Sequence, residues 1–155
     1  IARPIGVRII INDRVDIALM LGADGVHLGQ DDLPCAQARE VLGENAIIGF
    51  STHTPKQVKD AIGLPIDYVA IGPIFWTTSK ENPDPVVGLE GLADARRFAR
   101  NLPLVAIGGV SESNIGSVFA AGADSAAILS SLLSDADQIT LRMRSLVGPG
   151  TINTV

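Results

Sequence analysis

A strict alternation of two hydrophobic rhythms constrains this chain more than any other feature. Short apolar runs at residues 7–11, 25–29, 47–51, 68–72, 104–107 and 125–129 show too little polar alternation for a sheet with one wet face. Between them, apolar residues return at helical spacing over 15–21, 34–42, 55–62, 89–100, 114–121 and 135–147. Six such strand-then-helix units predict parallel strands, because a parallel neighbour is reached only through a crossover connection. Gly22 stops the first helix, Pro34 suits the first turn of the second, and Gly148-Pro149-Gly150 ends the last.

Two architectures fit that order: a barrel of alternating strands and helices, or an open doubly wound sheet. Polar or glycine-rich motifs follow nearly every strand, as on a ring of loops around one mouth, and this favours the barrel. The expected domain is 1–147, a partial (βα)8 barrel, with 148–155 as a tail. A complete barrel has eight strands and takes about 250 residues, whereas this chain has 155. Gly22-Ala23-Asp24-Gly25 and Gly122-Ala123-Asp124-Ser125 echo one another at helix-to-strand joints, where a helix stop meets a strand start.

Composition narrows the function. A net charge of −5 opposes a nucleic-acid surface, which needs clustered Lys and Arg to neutralise phosphates. With one cysteine, Cys35, the chain forms no internal disulfide, which fits a reducing cytoplasm. No apolar run approaches the ~20 residues of a membrane-spanning helix, and Ile1-Ala2-Arg3-Pro4 lacks the pattern of a signal peptide. The expectation is a cytoplasmic protein acting on small molecules, without nucleic-acid or membrane partners.

The polar motifs follow the strands. Asn12-Asp13 comes after the first and Gln30-Asp31-Asp32 after the second. Neighbouring strands lie about 4.8 Å apart, so Asp13 and Asp32 can share one cation, and oxygen-only ligands suit magnesium. An aspartate after a strand is equally an N-cap for the next helix, and the residues alone leave both readings open. Ser51-Thr52-His53-Thr54 offers hydroxyls to a ligand, with Thr54 equally suited to cap a helix. His27 and His53 fit structural hydrogen bonding better than catalysis.

Ala106-Ile107-Gly108-Gly109 and Leu129-Ser130-Ser131 end the last two strands. In barrels those positions often hold phosphate, because glycine lets backbone N–H groups approach an anion. Residues 72–80, Gly-Pro-Ile-Phe-Trp-Thr-Thr-Ser-Lys, break a buried strand and then present three hydroxyls and a cation. Such a loop suits a phosphate or diphosphate.

Together these segments closely resemble the thiamine phosphate synthase family. The resemblance rests on residues 11–16 (Ile-Asn-Asp-Arg-Val-Asp), 25–32 (Gly-Val-His-Leu-Gly-Gln-Asp-Asp), 51–54, 72–80, 88–92 (Gly-Leu-Glu-Gly-Leu) and 106–109. It implies a closed (βα)8 barrel that joins a hydroxymethylpyrimidine diphosphate to a thiazole phosphate and releases diphosphate. Position by position, it implies that Asn12 touches the pyrimidine and that Asp13 and Asp32 hold Mg2+. Ser51 and Lys80 would bind the pyrimidine diphosphate, closest to the chemistry. Thr77, Thr78, Ser79, Gly109, Leu129 and Ser130 would hold the thiazole phosphate.

Against the family pattern, residues 6–12 resemble the third strand. The first two units, with a glutamine, arginine and lysine motif that grips the diphosphate, have no counterpart in this sequence. That departure implies little or no synthase activity for this chain alone, and leaves three alternatives: a complementing chain or homo-oligomer supplies the missing part, the chain is a fragment, or the remaining sheet closes abnormally. Trp76 stands where proline or a small residue is more usual. Two other readings compete: a thiazole tautomerase-like enzyme needing no metal, and a non-catalytic thiazole-phosphate-binding fragment.

Overall fold

A computed structural model describes residues 4, 6–77 and 84–147 of the chain. Among them six strands pair in sequence order, each parallel to the next: β1 (Ile10–Asn12), β2 (Gly25–Leu28), β3 (Ile47–Thr52), β4 (Tyr68–Ile71), β5 (Leu104–Ile107) and β6 (Ser125–Ala127). The crossovers run through α1 (Val15–Leu21), α2 (Cys35–Leu42), α3 (Pro55–Ala61), α4 (Gly88–Ala99) and α5 (Ile115–Ala120). After β6 come a short α6 (Ser130–Leu133), a 3-10 turn (Ala136–Gln138) and α7 (Ile139–Val147).

The helices cover one face of the sheet. One apolar cluster joins Val58, Leu92, Ala95 and Val118 from α3, α4 and α5 to Val69, Ile71 and Leu104. A second joins Val15, Ala18, Cys35 and Ala38 to Val26, Leu28 and Ile48, and Phe50 and Ile66 pack against both. Burying branched aliphatic side chains of this kind stabilises by about 1.5–3 kcal/mol each, so a core poor in aromatics suffices. No described helix is long and apolar enough to cross a membrane.

The expected α/β architecture is present, but the described strands do not close. β1 pairs with β2 alone and β6 with β5 alone, which leaves an open half-barrel rather than an eight-stranded ring. Three local expectations also shift. β1 starts at Ile10 rather than residue 7, with Val7 and Ile9 exposed on an edge that has one neighbour. The apolar run 125–129 holds a strand only to Ala127, because periodicity cannot separate the end of a short apolar strand from the turn of α6. The last helical stretch is a 3-10 turn, capped where Asp137 N donates to the Asp135 carboxylate at 3.1 Å, followed by α7.

The rim at the strand N-termini is held by three equivalent clips. Asp24, Asp67 and Asp124 stand just before β2, β4 and β6. Each carboxylate accepts a backbone N–H of the preceding strand's segment: Ile9 at 2.8 Å, Ile48 at 2.7 Å and Leu104 at 2.7 Å. Each backbone N–H returns a bond to the carbonyl of that same residue, at 2.9, 2.8 and 2.9 Å. Arg8, Arg39 and Arg96 pair with the three carboxylates. With one rim so fixed, the loops at the other are free to carry a site.

Candidate functional site

A cavity of about 710 Å3 opens at the C-terminal ends of the strands. It lies within the size range of small-molecule sites. Asn12, Asp13, Asp32, Ser51, Thr77, Gly109, Leu129 and Ser130 all line it. The structure thus brings together every site residue expected from sequence that it describes. Thr78, Ser79 and Lys80 lie outside the described residues, as does the 148–155 tail.

Neither carboxylate stands at the N-cap of the helix that follows it. The N-cap residues of α1 and α2 are Arg14 and Pro34, and neither makes a side-chain cap bond. Asp32 instead accepts Gly29 N at 2.6 Å, fixing the turn that leaves β2. Asp13 sits in the left-handed region (φ 62°), a conformation aspartate tolerates better than most residues, and its N–H donates to His27 O at 2.8 Å. Among the described residues no group of three or more His, Cys, Asp or Glu side chains is arranged to hold a metal.

In the Ser51–Thr54 segment the hydroxyls divide their tasks. Thr52 is buried and donates to Ala70 O at 2.8 Å, and Thr54 caps α3 by accepting Gln57 N at 3.2 Å. Ser51 alone of the three is turned to a partner within the site, His27, whose Nε2 lies 2.8 Å from its Oγ. His27 Nδ1 meets the Tyr68 hydroxyl at 2.9 Å, and the two rings stack with centroids 5.4 Å apart. Burial pushes the His27 pKa down, partly offset by the Asp32 charge, so the ring is neutral near pH 7. His53 is structural as expected: its Nδ1 lies 2.8 Å from Gly72 O and 3.4 Å from an Asp84 carboxylate oxygen.

Sheet register explains the His27–Tyr68 contact. His27 pairs with Gly49, and Gly49 pairs with Tyr68, so the three form one row across β2, β3 and β4. Side chains two strands apart can meet only over a bare Cα, and a Cβ on Gly49 would strike both rings. Ser51 lies two residues further along β3 on the same face. This arrangement was not legible in the sequence, where a lone glycine inside an apolar strand was the available signal.

Across the cavity, Gly108 (φ 90°) and Gly109 (φ 67°) turn the chain out of β5. Side chains there would collide with Pro73, Phe75 and the Trp76 backbone, because residues 73–76 lie directly against this turn. Ile74 N and Phe75 N donate to Ile107 O and Gly108 O at 2.9 and 3.0 Å, which binds the loop after β4 to the loop after β5. Asn114 supports the turn from behind by donating to Gly109 O at 3.0 Å. The Gly72-Pro73 peptide is cis.

Parallel strands in sequence order, with outer crossover helices and polar loops gathered at the C-terminal mouth, place the protein in the class of α/β half-barrel folds with a cavity at that mouth. Within that class the chain belongs to the thiamine monophosphate synthase family, whose family model matches residues 1–132. A thiamine-phosphate synthase of Koribacter versatilis is 50% identical over 137 residues, covering 88% of this chain and 64% of the relative. One from Albidiferax ferrireducens is 46% identical over 146 residues, covering 93% and 66%. The solved thiamine phosphate pyrophosphorylase of Pyrococcus furiosus superposes with a TM-score of 0.82 at 33% identity, covering 94% of this chain and 68% of that one. The chain therefore spans about two thirds of the length of the curated relatives it matches.

Proposed function

We propose that this site performs the thiamine phosphate synthase reaction, in which the nitrogen of a thiazole phosphate attacks a hydroxymethylpyrimidine whose diphosphate departs. The observation that carries the reading is the convergence, in one cavity, of residues following all six strands, with the carboxylates of Asp13 and Asp32 on one side and Gly109, Leu129 and Ser130 on the other. Such a division gives each phosphorylated substrate its own wall. Ser51 and Lys80 bind the diphosphate, Asn12 touches the pyrimidine, and Thr77, Thr78, Ser79, Gly109, Leu129 and Ser130 hold the thiazole phosphate.

Two carboxylates at one mouth, without a third protein ligand among the described residues, fit magnesium's usual mode: one or two carboxylates, several waters and substrate phosphates. Asp13 and Asp32 would hold it; Asp32 spends one acceptor position on Gly29 N and a carboxylate has others. When bound, Mg2+ supplies charge neutralisation for the leaving diphosphate. The residues of the chain supply position and donors. Ser51 and Lys80 favour the anion more as the bond to it breaks, and the thiazole-phosphate wall holds the nucleophile in line. No general base is required, because the attacking thiazole nitrogen carries no proton.

The reading includes an eight-stranded barrel, two strands more than those described, and the one-sided pairing of β1 and β6 supports it. A corollary is that these 155 residues alone bind the thiazole phosphate and turn over slowly. The test supplies both substrates with magnesium to this chain and to a version extended to close the barrel, and follows thiamine phosphate by chromatography. The expected result is magnesium-dependent product, abolished by chelation and far faster from the extended protein. Isomerisation of a thiazole without metal, and no coupling, would contradict it.

A further inference from the structure

His27, Tyr68 and Ser51 form a hydrogen-bonded chain whose direction decides what Ser51 can do. A neutral imidazole carries one donor and one acceptor, so the chain can run in only two ways. In one, Tyr68 donates to Nδ1, and Nε2–H donates to Ser51 Oγ. In the other, Ser51 donates to Nε2, and Nδ1–H donates to Tyr68. The second turns the serine proton away from the cavity and leaves only lone pairs facing a bound anion. The first leaves the serine proton for the ligand.

We propose that Tyr68 fixes the chain in the first direction, making His27 a positioning residue that holds Ser51 as a donor to an oxyanion of the diphosphate class. The direction follows from where the Tyr68 proton can go. His27 Nδ1, at 2.9 Å, is the one hydrogen-bond partner of the Tyr68 hydroxyl among the described residues. Burial raises the phenol pKa, so the hydroxyl keeps its proton. If Nδ1 were the donor, that proton would lose its acceptor, at the cost of an unmade hydrogen bond in a half-buried place. Ring stacking and the bare Cα of Gly49 hold the pair in register, so the direction is a property of the resting fold. Ser51 is thereby a hydrogen-bond donor rather than an activated nucleophile.

This inference rests on the functional reading only for its ligand, and the experiment separates the two. Long-range 15N–1H NMR on the ligand-free protein reports the tautomer directly: Nδ1 is expected as the unprotonated nitrogen and Nε2 as the protonated one. The opposite tautomer would overturn the proposal. Tyr68→Phe, which keeps the stacked ring, is expected to mix the tautomers. It should also weaken calorimetric binding of inorganic diphosphate with magnesium about three- to tenfold, the net worth of roughly one hydrogen bond. In a Ser51→Ala background the same substitution should weaken binding no further. A merely structural role would make the two losses additive, and would overturn the proposal. If neither the unsubstituted protein nor the version extended to close the barrel binds diphosphate, the functional reading fails, while the NMR arm still decides the direction of the chain.

Discussion

At Asp32 the carboxylate accepts Gly29 N at 2.6 Å and faces the same cavity as Asp13. Asparagine there would retain an acceptor for Gly29 N and remove only the charge. Asp32→Asn is therefore expected to cost under about 1 kcal/mol in stability and to weaken magnesium-dependent diphosphate binding by about tenfold or more, equivalent to at least ~1.4 kcal/mol. Calorimetry with and without magnesium separates the cases: an equal loss in both would contradict a metal-holding role. Asp13 and Asp32 were legible in the sequence because position after a strand is a local property. The link from Ser51 through His27 to Tyr68 was not, because Ser51 and Tyr68, 24 and 41 positions from His27, meet it only through the pairing of three strands.

Strands β2, β4 and β6 each enter the sheet behind an aspartate that clips the strand before it. For Asp124 the pKa is lowered, first by the Leu104 N–H and then by Arg96, against opposing desolvation. A carboxylate whose pKa is depressed by folding contributes stability that is fully present above its unfolded value, near 3.8, and is lost as pH falls through the folded value. Asp124→Asn should cost on the order of 1 kcal/mol at pH 7, a figure held down by solvent around an exposed carboxylate. The deficit should shrink below pH 4 as the unsubstituted protein protonates. Denaturant melts at pH 7 and pH 3 check this, and a deficit unchanged between them would contradict the clip. The Gly-Ala-Asp echo exposed two of these joints in sequence. The third escaped because Asp67 follows Pro65-Ile66 rather than a helix-stopping glycine.

Over the whole molecule, the strand-and-helix rhythm was fully legible because parallel strands buried between layers must be apolar and must alternate with crossovers. Closure was not legible, since ring formation depends on strand number and tilt rather than on any one residue's neighbours. The described sheet is an open half-barrel with one rim clipped by aspartates and the other lined by the described residues proposed to bind the substrates. The central claim is that this second rim separates two phosphate walls, and the thiazole-phosphate wall lies wholly on β4 to β6 and their loops. An NMR titration of the 15N-labelled chain with thiazole phosphate tests it most directly. The account predicts saturable amide shifts centred on Gly109, Ala127, Leu129 and Ser130, with the Asp24, Asp67 and Asp124 clips unmoved. Absence of saturation, or shifts centred away from the Gly108-Gly109 turn, would contradict it.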